Sequence, residues 1–137
     1  MADLTVHHVS IVVTDLERSI AFYQAVFGLG RVPRPPFAVG GAWLTCGEGR
    51  QIHLVDNPGG TYRRGRRIDI ADTHFAFNTS DFEGFIGQAT AYGFREDLPE
   101  DDPLRMFVIR NGVAGFPQVY LLDPDANEIE VNGAAFG

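Results

Sequence analysis

The sequence predicts an α+β fold made of two copies of one module, and three observations carry that prediction. The stretch His8-Val-Ser-Ile-Val-Val-Thr-Asp-Leu-Glu17 returns in degenerate form as His74-Phe-Ala-Phe-Asn-Thr-Ser-Asp-Phe-Glu83, so that His8/His74, Asp15/Asp81 and Glu17/Glu83 each lie 66 positions apart. In both copies an alternating apolar pattern gives way to helical spacing, which reads as strand, tight turn, helix. Each helix is then followed by short β-patterned segments separated by Gly- or Pro-containing turns.

In the first copy His8, Ser10 and Val12 share one strand face and Val9, Ile11 and Val13 the other. In the second, His74, Ala76 and Asn78 oppose Phe75, Phe77 and Thr79. The helix starts are assigned to Thr14 and Ser80, each with a glutamate three residues on, the pattern that satisfies orphan amide donors reciprocally. Leu16, Ile20, Tyr23 and Phe27, and then Phe82, Ile86 and Ala89, form apolar helical stripes. Each strand is therefore expected to lay its apolar face on its own helix and turn its histidine face away. After Gly28 the segment 31–36 reads as an extended connector, because its prolines forbid helix. Residues 41–46 and 50–55 form a hairpin around Gly47-Glu-Gly49, with Gln51, His53 and Val55 on one face.

A polar linker follows, bearing Arg63, Arg64, Arg66 and Arg67. It reads as a solvated loop or, through Arg63 and Arg64, as a clamp for a substrate carboxylate or phosphate. In the second copy Gly93 ends the helix, 104–115 is an extra strand segment or a loop, and 118–122 and 127–132 are strands across Asp123-Pro-Asp-Ala126. The whole reads as one domain over 1–137, with module 1 at about 4–57, the linker at about 58–70 and module 2 at about 71–133.

With 137 residues, 45% hydrophobic and 12% aromatic, the chain can bury a core as a single folded unit. A net charge of −7 disfavours nucleic acid as a partner. No apolar run approaches the roughly 20 residues of a membrane span, and the start lacks a basic and apolar export signal. A lone Cys46 cannot form an internal disulfide, so a reducing, cytoplasmic location is expected, with the thiol a small buried apolar group.

The chemistry-bearing set is His8, His53, His74 and Glu130. Ile129-Glu130-Val131 matches Ile52-His53-Leu54, so four polar side chains occupy duplicated strand positions. Three imidazoles and a carboxylate suit one divalent metal, and zinc, iron, manganese, cobalt and nickel all fit the set. His7 is expected on the opposite face from His8. Glu128 shares Glu130's face but abuts the turn, where it is expected to be solvated. Trp43 and Tyr120 lie ten positions before His53 and Glu130 respectively. With Phe37 they are candidates to line a substrate pocket, or else core aromatics.

The stretches 8–23 with Phe27-Gly-Leu29, Gln51-Ile-His-Leu54, Thr73-His-Phe-Ala-Phe77 and Leu122-Asp-Pro-Asp-Ala-Asn-Glu-Ile-Glu130 together resemble the vicinal oxygen chelate superfamily. That superfamily includes glyoxalase I, fosfomycin resistance enzymes, methylmalonyl-CoA epimerase, extradiol dioxygenases and bleomycin resistance proteins. The resemblance implies two βαβββ modules whose sheets curl into a half-open barrel around a metal held by His8, His53, His74 and Glu130. It implies a small-molecule substrate chelating that metal through two adjacent oxygens, Glu130 as ligand and proton shuttle, and a homodimer. The leading reaction class is lyase, isomerase or epimerase. The alternatives are an Fe(II) ring-cleaving dioxygenase and a non-enzymatic drug-binding protein. Where glyoxalase I generally has a glutamate, this chain has His53. Ala126 replaces the glycine of the family's usual turn, and Asn127 is expected to take the positive-φ position instead.

Overall fold

The computed structural model describes residues 3–61, 63 and 65–135. The chain divides into two compact units, Met1–Tyr62 and Arg63–Gly137. The first holds β1 (His8–Val13), α1 (Leu16–Phe27), β2 (Gly30–Val32), β3 (Gly41–Thr45) and β4 (Gln51–Asp56). The second holds β5 (Phe75–Asn78), α2 (Phe82–Tyr92), β6 (Phe107–Ile109), β7 (Gln118–Leu122) and β8 (Glu128–Asn132). Each unit is thus β-α-β-β-β, with an open four-stranded sheet in the order β1-β4-β3-β2 or β5-β8-β7-β6. The first and last strands of each unit pair in parallel and the others antiparallel. This is the α+β, two-module architecture of the vicinal oxygen chelate fold.

One feature of this topology escapes the sequence pattern. A third strand forms inside the proline-rich connector, where β2 stops just before Pro33 and needs only three residues to pair with β3. The segment 104–115, read as an extra strand segment or a loop, yields the three-residue strand β6.

Helix capping falls one residue later than the sequence suggests. Asp15 accepts from the Arg18 amide at 3.2 Å and Asp81 from the Gly84 amide at 3.0 Å. A carboxylate serves better than a hydroxyl at this end, since it also meets the positive end of the helix dipole. With Arg18 and Gly84 in the third helical position, the reciprocal glutamate bond expected from Thr14 and Ser80 has no place. At the other end Gly28 adopts φ 68° and donates to the Gln24 carbonyl, a backbone turn that favours glycine.

In the first unit Ile20, Phe22, Tyr23 and Val26 of α1 are buried, as are Ala42, Leu44, Ile52 and Leu54 on the apolar faces of β3 and β4. Each large side chain contributes about 1.5 to 3 kcal/mol on burial. In the second unit Phe82, Ile86 and Ala89 of α2 and Val119, Leu121, Ile129 and Val131 do the same work. These apolar faces fix the strand register, because a one-residue slip would turn every core side chain outward. The polar faces follow from that register.

Candidate functional site

The pairings place one transverse row on the polar face of each sheet. In the first unit Val32 lies opposite Trp43, Trp43 opposite His53, and Ser10 opposite His53 on its other side. In the second the row is Phe107, Tyr120, Glu130 and Ala76. His53 and Glu130 therefore hold equivalent middle-strand places, each with an aromatic neighbour on one side and a small residue on the other. Both are buried, at 8% and 7% exposure.

In the first unit the row is a stack of rings. The His53 imidazole lies between His8, with centroids 3.8 Å apart and planes 16° apart, and Trp43, at 4.3 Å and 4°. Phe37, largely exposed, leans on Trp43 at 6.1 Å beneath the Arg34 guanidinium. The Nε2 of His53 stands 2.8 Å from the Gln51 side-chain oxygen. Burial pushes the His53 pKa down, and the neighbouring charges of His8, His7 and Arg34 lower it further. His53 is thus a neutral imidazole at neutral pH. His7, expected on the face opposite His8, instead brings its Nδ1 within 2.9 Å of His8 Nδ1. His7 lies at the exposed start of the strand, where its carbonyl accepts from the Gln51 amide at 3.1 Å.

The second unit carries the carboxylates. His74 immediately precedes β5. Its Nδ1 lies 2.9 Å from the Asp72 carbonyl, which can only accept, so Nδ1 carries the hydrogen. Nε2 then faces Glu130 Oε1 at 3.3 Å. In the neutral imidazole two acceptor atoms confront each other, and only a shared cation, a proton or a metal ion, resolves that contact. Asn132 donates to the other Glu130 oxygen at 2.8 Å. Burial alone would raise the Glu130 pKa, but hydrogen bonds from Asn132, Tyr120 and Gln118 and the influence of His74 outweigh it and hold the carboxyl below the ordinary value. Tyr120, edge-on to His74 at 5.5 Å, has its phenol pushed up to about 12 by burial and by the Glu130 and Glu128 charges. It stays a hydrogen donor.

Glu128 departs from expectation. Far from being solvated, its side chain is fully buried. The reason is long-range: the segment after Arg63 folds back over the start of β8, where the Asp69 amide donates to Glu128 Oε1 at 2.6 Å and Arg63 approaches the same oxygen at 3.8 Å. Glu128 Oε2 lies 3.5 Å from His74 Nδ1. Burial raises the Glu128 pKa, and the Asp69 amide, Arg63 and His74 only partly offset it. Arg63 itself is no solvated loop residue, since it also binds Asp72 at 2.9 Å and is 13% exposed. Arg64 lies outside the described residues. One signal for Glu128 was present in the sequence: it stands two residues before Glu130 as Gln51 stands before His53.

Within each unit, then, the sequence-predicted residues meet in pairs, His8 with His53 and His74 with Glu130. Among the described residues no group of three or more His, Cys, Asp or Glu side chains is gathered as a metal cage. The donor chemistry fits a divalent ion. The 3.3 Å between His74 Nε2 and Glu130 Oε1 is also close to the separation of two donors on one ion, given bonds of about 2.0 to 2.2 Å. The His8 and His53 rings are nearly parallel, so their in-plane lone pairs do not converge, and one ring must turn before both could reach one ion. His8 is exposed and can turn.

The fold and these paired donors define a vicinal oxygen chelate protein. The chain belongs to the Glyoxalase/Bleomycin resistance protein/Dioxygenase superfamily, whose family model matches residues 5–131. No curated protein matches it in sequence. Among solved structures it is similar to a point mutant of the fosfomycin resistance protein FosX from Listeria monocytogenes, complexed with Mn(II) and 1S,2S-dihydroxypropylphosphonic acid. The identity is 18%, the TM-score 0.70, and 99% of this chain and 95% of that one are covered. A bleomycin-binding protein complexed with bleomycin matches at 20% identity and TM-score 0.68, over 98% of this chain and all of the other. Lactoylglutathione lyase from Agrobacterium tumefaciens matches at 21% identity and TM-score 0.65, over 95% and 93%. Enzymes and a binding protein thus share this fold. Among the described residues no helix is long and apolar enough to cross a membrane.

Proposed function

We propose that this protein is a metal-dependent enzyme of the glyoxalase kind, a lyase, isomerase or epimerase whose small substrate presents two adjacent oxygens. His8, His53, His74 and Glu130 hold one divalent ion in this reading. The observation that carries it is the equivalence of His53 and Glu130, buried at matched middle-strand places, each with its duplicated histidine alongside. When bound, such an ion supplies Lewis acidity to both substrate oxygens.

The chain's own groups are suited to the remaining work. His53 is neutral and so has a lone pair to give. Glu130 is ionised, with Oε2 anchored by Asn132, and Oε1, the oxygen that would face the ion, would leave it to accept a proton from a substrate carbon and return it to a neighbouring one. Tyr120 keeps its hydrogen and can donate to an oxyanion. Trp43 and Phe37 offer apolar walls, and the superfamily's small-molecule ligands suggest a compact organic substrate rather than a macromolecule.

Metal analysis of protein purified without added metal, repeated on His74→Ala and Glu130→Ala, tests the reading. Both variants should lose most of the bound metal, and wild-type content in both would sink it. Metal-loaded protein screened against thiol adducts of 2-oxoaldehydes, acyl-CoA epimers, catechols and fosfomycin with thiols would then sort the reaction class.

A second reading has one observation in its favour. The His8, His53 and Trp43 rings form a stack that ends in the exposed His8, where a further planar ring of a drug-like ligand could add, as in a binding protein without catalysis. Metal-free protein that binds such a ligand would favour it. A homodimer belongs to either reading, because superfamily members often complete their sites by pairing modules across chains. A single-chain mass by light scattering at micromolar concentration would count against it.

A further inference from the structure

The start of the second unit does more than lead into β5. We propose that Glu128, held in place by Asp69 and Arg63, is a positioning residue that fixes His74 as the Nδ1–H tautomer and keeps its Nε2 lone pair pointed toward Glu130. The consequence for metal binding rests on the reading above, whereas the tautomer itself does not.

Several contacts of the second unit converge on one ring. Arg63 Nε donates to Asp72 Oδ2 at 2.9 Å, and the Arg63 Nη2 group donates to the Arg67 carbonyl at 3.2 Å, which closes the segment on itself. The Asp69 amide donates to Glu128 Oε1 at 2.6 Å and so sets the rotation of that carboxyl. The other oxygen, Oε2, has no hydrogen-bond partner among the described residues and lies buried 3.5 Å from His74 Nδ1. The Asp72 carbonyl approaches the same nitrogen at 2.9 Å. Two acceptors therefore converge on Nδ1, so the hydrogen resides there and Nε2 is left bare. A carboxyl or carbonyl behind a ligating histidine is the general means of orienting the ring and choosing its tautomer.

Glu128→Gln discriminates this role from a structural one. The glutamine oxygen must stay at the Oε1 place to keep the Asp69 bond, which puts the amide NH2 where Oε2 was, a donor facing a donor. The ring escapes by moving its hydrogen to Nε2 or by turning. In metal-free, 15N-labelled protein at mildly alkaline pH, long-range imidazole spectra should show wild-type His74 as the Nδ1–H form and Glu128→Gln with a substantial Nε2–H share. Co(II) affinity should fall about tenfold in the same variant. Should Glu128→Gln fail to fold, the paired variant Arg63→Met/Glu128→Leu, which removes both charges together and leaves the Asp72 carbonyl as the remaining acceptor at Nδ1, should show a smaller but measurable Nε2–H share. A wild-type His74 in the Nε2–H form would overturn the inference. So would variants that lose thermal stability but keep the wild-type tautomer. If the tautomer shifts as stated while the wild-type protein binds no Co(II), the positioning role stands and the metal reading falls.

Discussion

The imidazole of His53 lies flat on the indole of Trp43, 4.3 Å between centroids and 4° between planes. Directly opposite in the antiparallel ladder, the two side chains are close enough for the indole to strip water from one face of the ring while His8 covers the other. That desolvation, reinforced by the positive influence of His8, His7 and Arg34, is why the His53 pKa is lowered.

A pH dependence of stability follows for the metal-free protein. The unfolded chain protonates its histidines near the ordinary value of about 6.5, whereas folded His53 does so only at lower pH. Between those points the unfolded state holds the extra proton, so stability is complete above about 6.5 and declines as pH falls toward the folded pKa. Trp43→Ala exposes the ring, which raises the folded pKa and flattens the decline. Urea midpoints measured across the acid range for both proteins check this, and parallel profiles would refute it.

The Arg63 and Glu128 contact is a buried charge pair of long reach, 3.8 Å, supported by the Asp69 amide and by Asp72. Removing one partner leaves the other buried without compensation. Arg63→Met should therefore destabilise the fold by about 2 to 4 kcal/mol. Arg63→Met/Glu128→Leu should recover at least half of that loss, since an apolar pair of similar volume carries no desolvation penalty. Denaturant titration of wild type and both variants decides, and a double variant no better than the single would show that the ion pair is not the source.

Ala126 itself adopts φ 63°, contrary to the expectation that Asn127 would take that place. The turn explains the difference. The Ala126 amide bonds the Asp123 carbonyl at 2.9 Å, and Asn127 is pinned by its amide to Asp123 Oδ1 and by its side chain to Oδ2, both at 2.8 Å. Asn127 must stay extended to enter β8, so the left-handed residue is the one before it. For alanine that conformation costs about 1 to 2 kcal/mol. Losing a buried methyl costs about 0.8 kcal/mol in return. Ala126→Gly should thus stabilise by up to about 1 kcal/mol, and Ala126→Val should destabilise by more than that. Thermal melts that rank the three in any other order contradict the account.

What the sequence could and could not reveal has a consistent physical division. The duplication placed His8 with His74 and His53 with Glu130, and the shared ten-residue spacing marked Trp43 and Tyr120 as matched places; that each is the cross-strand partner of its polar residue appears only in the register, because the offset between partners changes along an antiparallel ladder. Glu128 was misjudged because its burial depends on residues 63–72 folding back onto β8, a contact that no local pattern encodes. β2 was hidden because proline marks a break more strongly than three paired residues mark a strand. The helix caps were displaced by one residue because threonine and aspartate both qualify in sequence, and only the amide geometry chooses between them.

The position that most separates this chain from glyoxalase I is His53, and its charge yields a last prediction. Three neutral imidazoles and the Glu130 carboxylate would leave a bound divalent ion with one net positive charge, whereas a glutamate at 53 would cancel it. One unit of charge at about 4 Å is worth roughly 4 kcal/mol at an effective dielectric of about 20, and solvent screening reduces that further. A hydroxamate, an anion with two adjacent oxygens, is a convenient probe of the difference. His53→Glu should keep the metal yet bind hydroxamate about 1 to 2 kcal/mol more weakly, roughly a five- to thirtyfold rise in Kd. His53→Ala should weaken the metal itself if His53 is a ligand, and it removes the Trp43 stack in any case. Isothermal titration of metal-loaded protein reads the first effect and metal analysis the second. If both variants keep wild-type metal content and hydroxamate affinity, His53 is not a ligand, and any metal is held by His8, His74 and Glu130 alone.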